Sequence, residues 1–181
     1  RAVALGRSDA AQLSVLCLPA LAHALLPGAA ARLLQASPHA RLSVTPQESP
    51  LLEEWMSAQR FDLGLGEQTA TPPGTQAEVL LTLDEVAVLP AEHALAMRPV
   101  LGLGDFAGLP FVSLSADDPY RRQIDALFAQ AGVQRQLRLE THSAVAVCAM
   151  VQQGLGVAIV NPLTALAAVQ GSRRALVLRR L

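Results

Sequence analysis

The chain has 181 residues, 51% of them hydrophobic, and its 15 acidic and 14 basic side chains leave a net charge of −1. That length can bury the core of one large domain or two small ones. The near-neutral balance excludes a segment that neutralises several phosphates by itself, and the longest unbroken apolar run, 144–151, is far short of the ~20 residues a membrane span needs.

In chain order, 12–17 reads as a short apolar strand. Leu21, Leu25, Ala29 and Leu33 then recur at helical spacing until Ser37-Pro38 stops the helix. Residues 41–47 alternate as a strand, and Ser49-Pro50 opens a helix over 51–59, with Ser as cap and Pro suited to the first turn. A buried strand over 61–66 ends on glycines. A long strand is expected over 78–89 and an irregular connection over 90–104. The strand-helix order then returns at a near-constant offset: strand 111–115, helix 119–131, strand 135–140, helix 143–153, strand 157–160. In the last helix Ala144, Val147, Cys148 and Val151 share one face, and Gly154 is placed as its left-handed terminator. Residues 175–181 form a final strand candidate that could return to the first half.

Strands alternating with helices imply parallel sheets with right-handed crossovers, and two such units imply an α/β protein with two Rossmann-like lobes. Ligands of open parallel sheets sit beyond the carboxyl ends of the strands, where helix starts present free N–H groups. That rule picks four turns: 18–21, 48–50, 114–117 and 141–143. If the lobes face each other across a cleft, the hydroxyls of Ser49, Ser115, Thr141 and Ser143 line it; the same hydroxyls would serve equally as helix caps.

Catalytic motifs are weak. Gly102, Gly104 and Ala107 match a dinucleotide-binding spacing, but Pro110 arrives too soon for the helix that motif must open. Gly154 and Gly156 follow a helix and precede a strand, the reverse of a phosphate loop. His23, His39, His93 and His142 share no metal-ligand spacing, so neither metal nor cofactor is expected. Cys17 and Cys148 read as reduced, buried small hydrophobes, although an acid–base pair on a racemase-like scaffold is an alternative. All basic residues are arginine, a coding skew without functional weight. The chain opens at Arg1 without an initiator Met or a secretory pattern, which suggests a trimmed piece of a cytoplasmic protein.

Several stretches in order carry a resemblance: Leu26-Pro27 through Ser37-Pro38, 61–66 (FDLGLG), Val86-Ala87-Val88-Leu89-Pro90 with His93-Ala94-Leu95-Ala96, Leu103-Gly104-Asp105-Phe106 ahead of Pro110-Phe111-Val112, and 151–160 (VQQGLGVAIV). The whole chain resembles the effector-binding domain of bacterial LysR-type transcription regulators, which have the type 2 periplasmic-binding-protein fold with a two-crossing hinge. Residues 147–151 running into 158–165 look like the branch responsive to opines and basic amino-acid derivatives. The resemblance implies a sensor rather than an enzyme, with lobe one at 1–89 plus 162–181 and lobe two at 90–161. It places the ligand on Ala20, Leu21, Ser49, Pro50, Ser115, Ala116, Asp117, Thr141 and His142, to which the strand-end turns add Leu114, with Glu67 and Asn161 as further ligand-binding candidates. Many members carry Ser or Thr where this chain has Ala20, so backbone N–H groups alone would serve there. A basic ligand end would need an acid such as Glu48, Glu67 or Asp117. The family pairs through this domain and tetramerises at full length, which implicates helices 22–35 and 121–130, and it touches DNA only through a helix-turn-helix upstream. A periplasmic solute-binding protein shares the fold and is the nearer alternative function.

Overall fold

A computed structural model describes residues 12–67, 71–170 and 175–181. The chain divides into two units, 1–76 and 77–181. In the first, strand β1 (Gln12–Cys17) lies between β2 (Arg41–Pro46) and β3 (Leu63–Leu65), all parallel. The central position of β1 explains its burial: Val15 and Cys17 pack with Leu26, Leu13 and Leu42, while Leu16, one residue out of phase, is fully buried on the other face, as strand alternation requires.

The helix expected to run unbroken to Ser37 is two helices, α1 (Pro19–Ala24) and α2 (Leu26–Ala36), hinged at Leu25. Pro27 is the cause, because inside a continuous helix its ring would strike the carbonyl four residues back and it has no N–H to donate. At the start of α2 both penalties vanish. Helix α3 (Leu51–Ser57) begins on Pro50, not on a serine cap; the Ser49 hydroxyl instead donates to Glu53 Oε1 at 2.6 Å. The strand expected over 61–66 shrinks to three residues and is not buried, Leu63 being 52% exposed, since β3 is an edge strand.

The second unit holds β4 (Val86–Pro90), β5 (Pro110–Leu114), β6 (Gln136–Thr141), β7 (Ala158–Val160) and β8 (Leu176–Arg180). Strand β5 pairs in parallel with β6 and is bridged in parallel to β7 at Phe111–Val157, whereas β4 runs antiparallel to both β7 and β8. The expected all-parallel arrangement therefore fails at β4. Of the strand expected over 78–89 only the end is strand; Val79, Leu80, Leu81 and Leu83 are exposed and outside any ladder. The connection 90–104 contains a 3-10 turn, Ala94–Met97, capped by His93 Nδ1, and a second turn begins at Leu103.

Alternation along these strands builds a core on each face. Val88, Val112, Leu114, Ala158 and Val160 pack with Val147, Cys148 and Val151 of α5 (Ala144–Gln152) and with Ala165 of α6 (Pro162–Gln170), a helix the sequence reading did not anticipate. Ala87, Leu89, Phe111, Val157 and Ile159 face the other way, toward Phe106 and toward Ile124 and Phe128 of α4 (Pro119–Gln130). Phe106, Phe111 and Phe128 meet edge to face with centroids 5.9–6.1 Å apart. Among the described residues no helix is long and apolar enough to cross a membrane.

Candidate functional site

The residues singled out from the sequence gather at the carboxyl ends of the parallel strands of each unit. In the first unit Ala20 and Leu21 follow β1, Ser49 and Pro50 follow β2, and Glu67 follows β3. The three ends are tied together by Gln47 N donating to Cys17 O at 2.8 Å and Leu18 N donating to Leu65 O at 3.1 Å. Ala20 and Leu21 are only 5% and 6% exposed, so their side chains belong to the core and the Leu21 N–H already bonds Leu18 O.

In the second unit Leu114 stands opposite Thr141, and Ser115 N donates to Thr141 O at 3.0 Å, which joins two of the chosen turns directly. Asp118, 4% exposed, caps α4 by accepting from Tyr120 N and Arg121 N. The Thr141 hydroxyl accepts from Ser143 N, and the Ser143 hydroxyl caps α5 at Ala146 N. Across the two turns His142 Nδ1 lies 3.7 Å from Asp117 Oδ1, both side chains largely exposed. Leu114 is buried and Ala116 exposed. Asn161, after β7, is engaged in capping: its Oδ1 accepts from Thr164 N at 2.7 Å and its Nδ2 donates to the Thr164 hydroxyl at 2.8 Å.

Two groups that the sequence reading missed shape this edge. Arg121, 5% exposed, donates through Nη1 to Leu114 O at 2.7 Å and so pins the end of β5 where the turn begins. Glu85 stands just before β4 and accepts a hydrogen bond from the Tyr120 hydroxyl. Burial pushes the Glu85 carboxyl above the usual carboxylate range, the Tyr120 bond opposes that shift, and Asp84 adds to it. An acid directly before the wholly apolar run 86–89 was the available signal.

The thiols do not suit acid–base chemistry. Cys17 and Cys148 are both fully buried in separate cores, and burial raises both, Cys148 to about 11, which keeps the thiolate scarce. Among the described residues no group of three or more His, Cys, Asp or Glu could hold a metal ion.

The "LysR substrate binding domain" family model matches residues 6–180. The transcriptional activator protein LysR of Escherichia coli is 52% identical over 155 residues, 86% of this chain and 50% of that protein; the chain spans about half the length of the curated relatives it matches. Among solved structures, the effector-binding domain of QuiR in complex with shikimate aligns with a TM-score of 0.78 at 16% identity, covering 96% of this chain and 81% of that one. The BenM effector-binding domain with its effector benzoate aligns at 0.76 and 18%, covering 96% and 78%. At such identities these likenesses speak to fold, and the fold they share is the type 2 periplasmic-binding-protein architecture. Matched over nearly its whole length, the chain belongs to the LysR substrate-binding domain family.

Proposed function

We propose that the chain is the effector-sensing domain of a cytoplasmic LysR-type transcription regulator and takes a small, amino-acid-like carboxylate at its strand-end turns: 18–21 and 48–50, with Glu67, in the first unit, and 114–117 and 141–143, with Asn161, in the second. The observation that carries this reading is positional: each of those turns leaves the carboxyl end of a parallel strand, where helix starts favour anions. The benzoate and shikimate of the BenM and QuiR structures are likewise small carboxylates. No chemistry is assigned to the domain, because a sensor needs only a difference in ligand affinity between two conformational states. The family match favours this over the solute-binding alternative, and the buried thiols weigh against a racemase.

Isothermal titration with arginine, ornithine, opines and benzoate tests the reading. Heat from at least one of them is expected, and silence from the whole panel rejects the carboxylate class. Contact with DNA belongs to the part of the regulator outside these residues. Self-association is assigned to α2 and α4, which leave Leu34 and Leu127 43% and 44% exposed. Light scattering at rising concentration should show a dimer of the 181-residue chain; a strict monomer removes that assignment.

A further inference from the structure

Strand register places an unassigned acid in the row of strand ends. Val86 stands opposite Val160 in the antiparallel β4–β7 pair, so Glu85 lies beyond the same end of the sheet as Asn161. The parallel bridge Phe111–Val157 brings Leu114 level with Val160, and Leu114 pairs with Thr141. Glu85, Asn161, Ser115 and Thr141 thus follow one another along a single sheet edge. Tyr120, near the start of α4, donates its hydroxyl to Glu85 Oε2 and holds the carboxylate in that row.

We propose that Glu85 is the specificity-determining acid of this edge, pairing with an ammonium or guanidinium end of a ligand whose carboxylate is taken by the strand-end turns. The inference rests on the small-carboxylate reading above. Among the described residues no Arg or His forms an ion pair with Glu85: His142 is set against Asp117, Arg121 bonds Asp125 and Glu140, and Arg180, opposite Val86, makes no ion pair with it. Asp84 adds a like charge beside it. A partly buried carboxylate with one neutral donor and no cation is destabilising until a cation arrives. The same charge repels a ligand that brings only further carboxylates to this end, which is how an unpaired acid selects by exclusion.

A purely structural role, in which the Tyr120 bond anchors the start of β4, makes a different forecast. Glu85→Gln keeps an acceptor for Tyr120 and removes only the charge. Because the folded carboxyl titrates above its unfolded value, its stabilising contribution is complete at low pH and is lost as pH rises through the folded value. At pH 7 the variant should therefore melt no lower than the parent.

The test is calorimetry of the 181-residue chain, parent and Glu85→Gln, at pH 7, with L-arginine and L-ornithine against their uncharged counterparts L-citrulline and L-norvaline, and with benzoate. The parent should prefer a basic probe to its counterpart. Glu85→Gln should weaken that probe on the order of 10- to 100-fold and leave the uncharged probes and benzoate unchanged. A parent that binds the uncharged counterpart as tightly overturns the inference without need of any variant, and so does a folded variant that keeps the preference. Both outcomes leave the carboxylate reading standing. Silence from every probe rejects that reading and the inference with it.

Discussion

Replacing Asp125 with alanine is expected to lower the unfolding free energy by about 3 kcal/mol, the lower end for breaking a buried ion pair because the carboxylate itself is partly solvated. Two guanidiniums depend on it. Arg121 Nε donates to both Asp125 oxygens at 2.8 and 2.9 Å, and Arg135 Nη2 donates to Oδ1. Asp125 is 40% exposed, but the arginines are only 5% and 6% exposed, so the charges left behind are the buried ones. Arg135 lies over the Phe111 and Phe128 rings, 4.7 and 4.3 Å from their centroids. Burial and the neighbouring Arg121 hold its pKa down to about 10. Removing Asp125 leaves Arg121 with Glu140 alone and takes from Arg135, set against the aromatic core, the carboxylate it donates to. By contrast, Arg121→Met removes one cation, leaves Asp125 to Arg135, and frees the Leu114 carbonyl, a loss of about 1–2 kcal/mol. Urea unfolding followed by far-UV circular dichroism separates the two variants, and equal losses would show that the paired arginines do not share Asp125 as described. The single tryptophan, Trp55, lies in the first unit, so its fluorescence reports whether that unit unfolds with the second.

Period and punctuation made most elements legible. The apolar run 12–17 marks strand β1 to the residue, and Gly154, at φ 78°, ends α5 as its position implies. The failures have local causes. Apolar spacing over 21–33 could not show that Pro27 splits the helix, because the stripe continues through the break. Alternation over 78–89 looked like one strand, yet only Val86–Pro90 finds partners, since a ladder needs neighbours that periodicity does not supply. Helix α6 lay hidden because nearly every residue of 162–169 is apolar or small, which leaves no periodic contrast; its signal was Asn161-Pro162, a cap followed by a first-turn proline. At the edge of the second unit, turns could be chosen from strand ends alone. The bonds of Arg121 to Leu114 and of Tyr120 to Glu85 could not be read there, because tertiary approach sets those partners.

Gly156→Ala should be far more damaging than Gly154→Ala, although the two glycines stand two residues apart in one motif. At Gly154 the added methyl meets nothing within 4 Å, so the variant suffers only left-handed backbone strain, about 1 kcal/mol. At Gly156, φ 156°, the methyl would lie 2.6 Å from the Pro110 carbonyl oxygen and 3.0 Å from its carbon. That carbonyl accepts from Val157 N, and Val157 O in turn accepts from Val112 N, both at 2.9 Å. These bonds join the β5–β6 pair to the sheet of β7, β4 and β8. Backbone cannot yield as a flexible side chain does, so β7 must withdraw from β5, and two buried hydrogen bonds weaken at once, a loss of about 3–5 kcal/mol. The withdrawal also uncouples the turns after β5 and β6 from Asn161 and Glu85, so ligand affinity should fall in whatever fraction remains folded. Denaturation curves for the two alanine variants decide the matter: similar midpoints would mean that β5 and β7 do not approach as closely as this glycine requires.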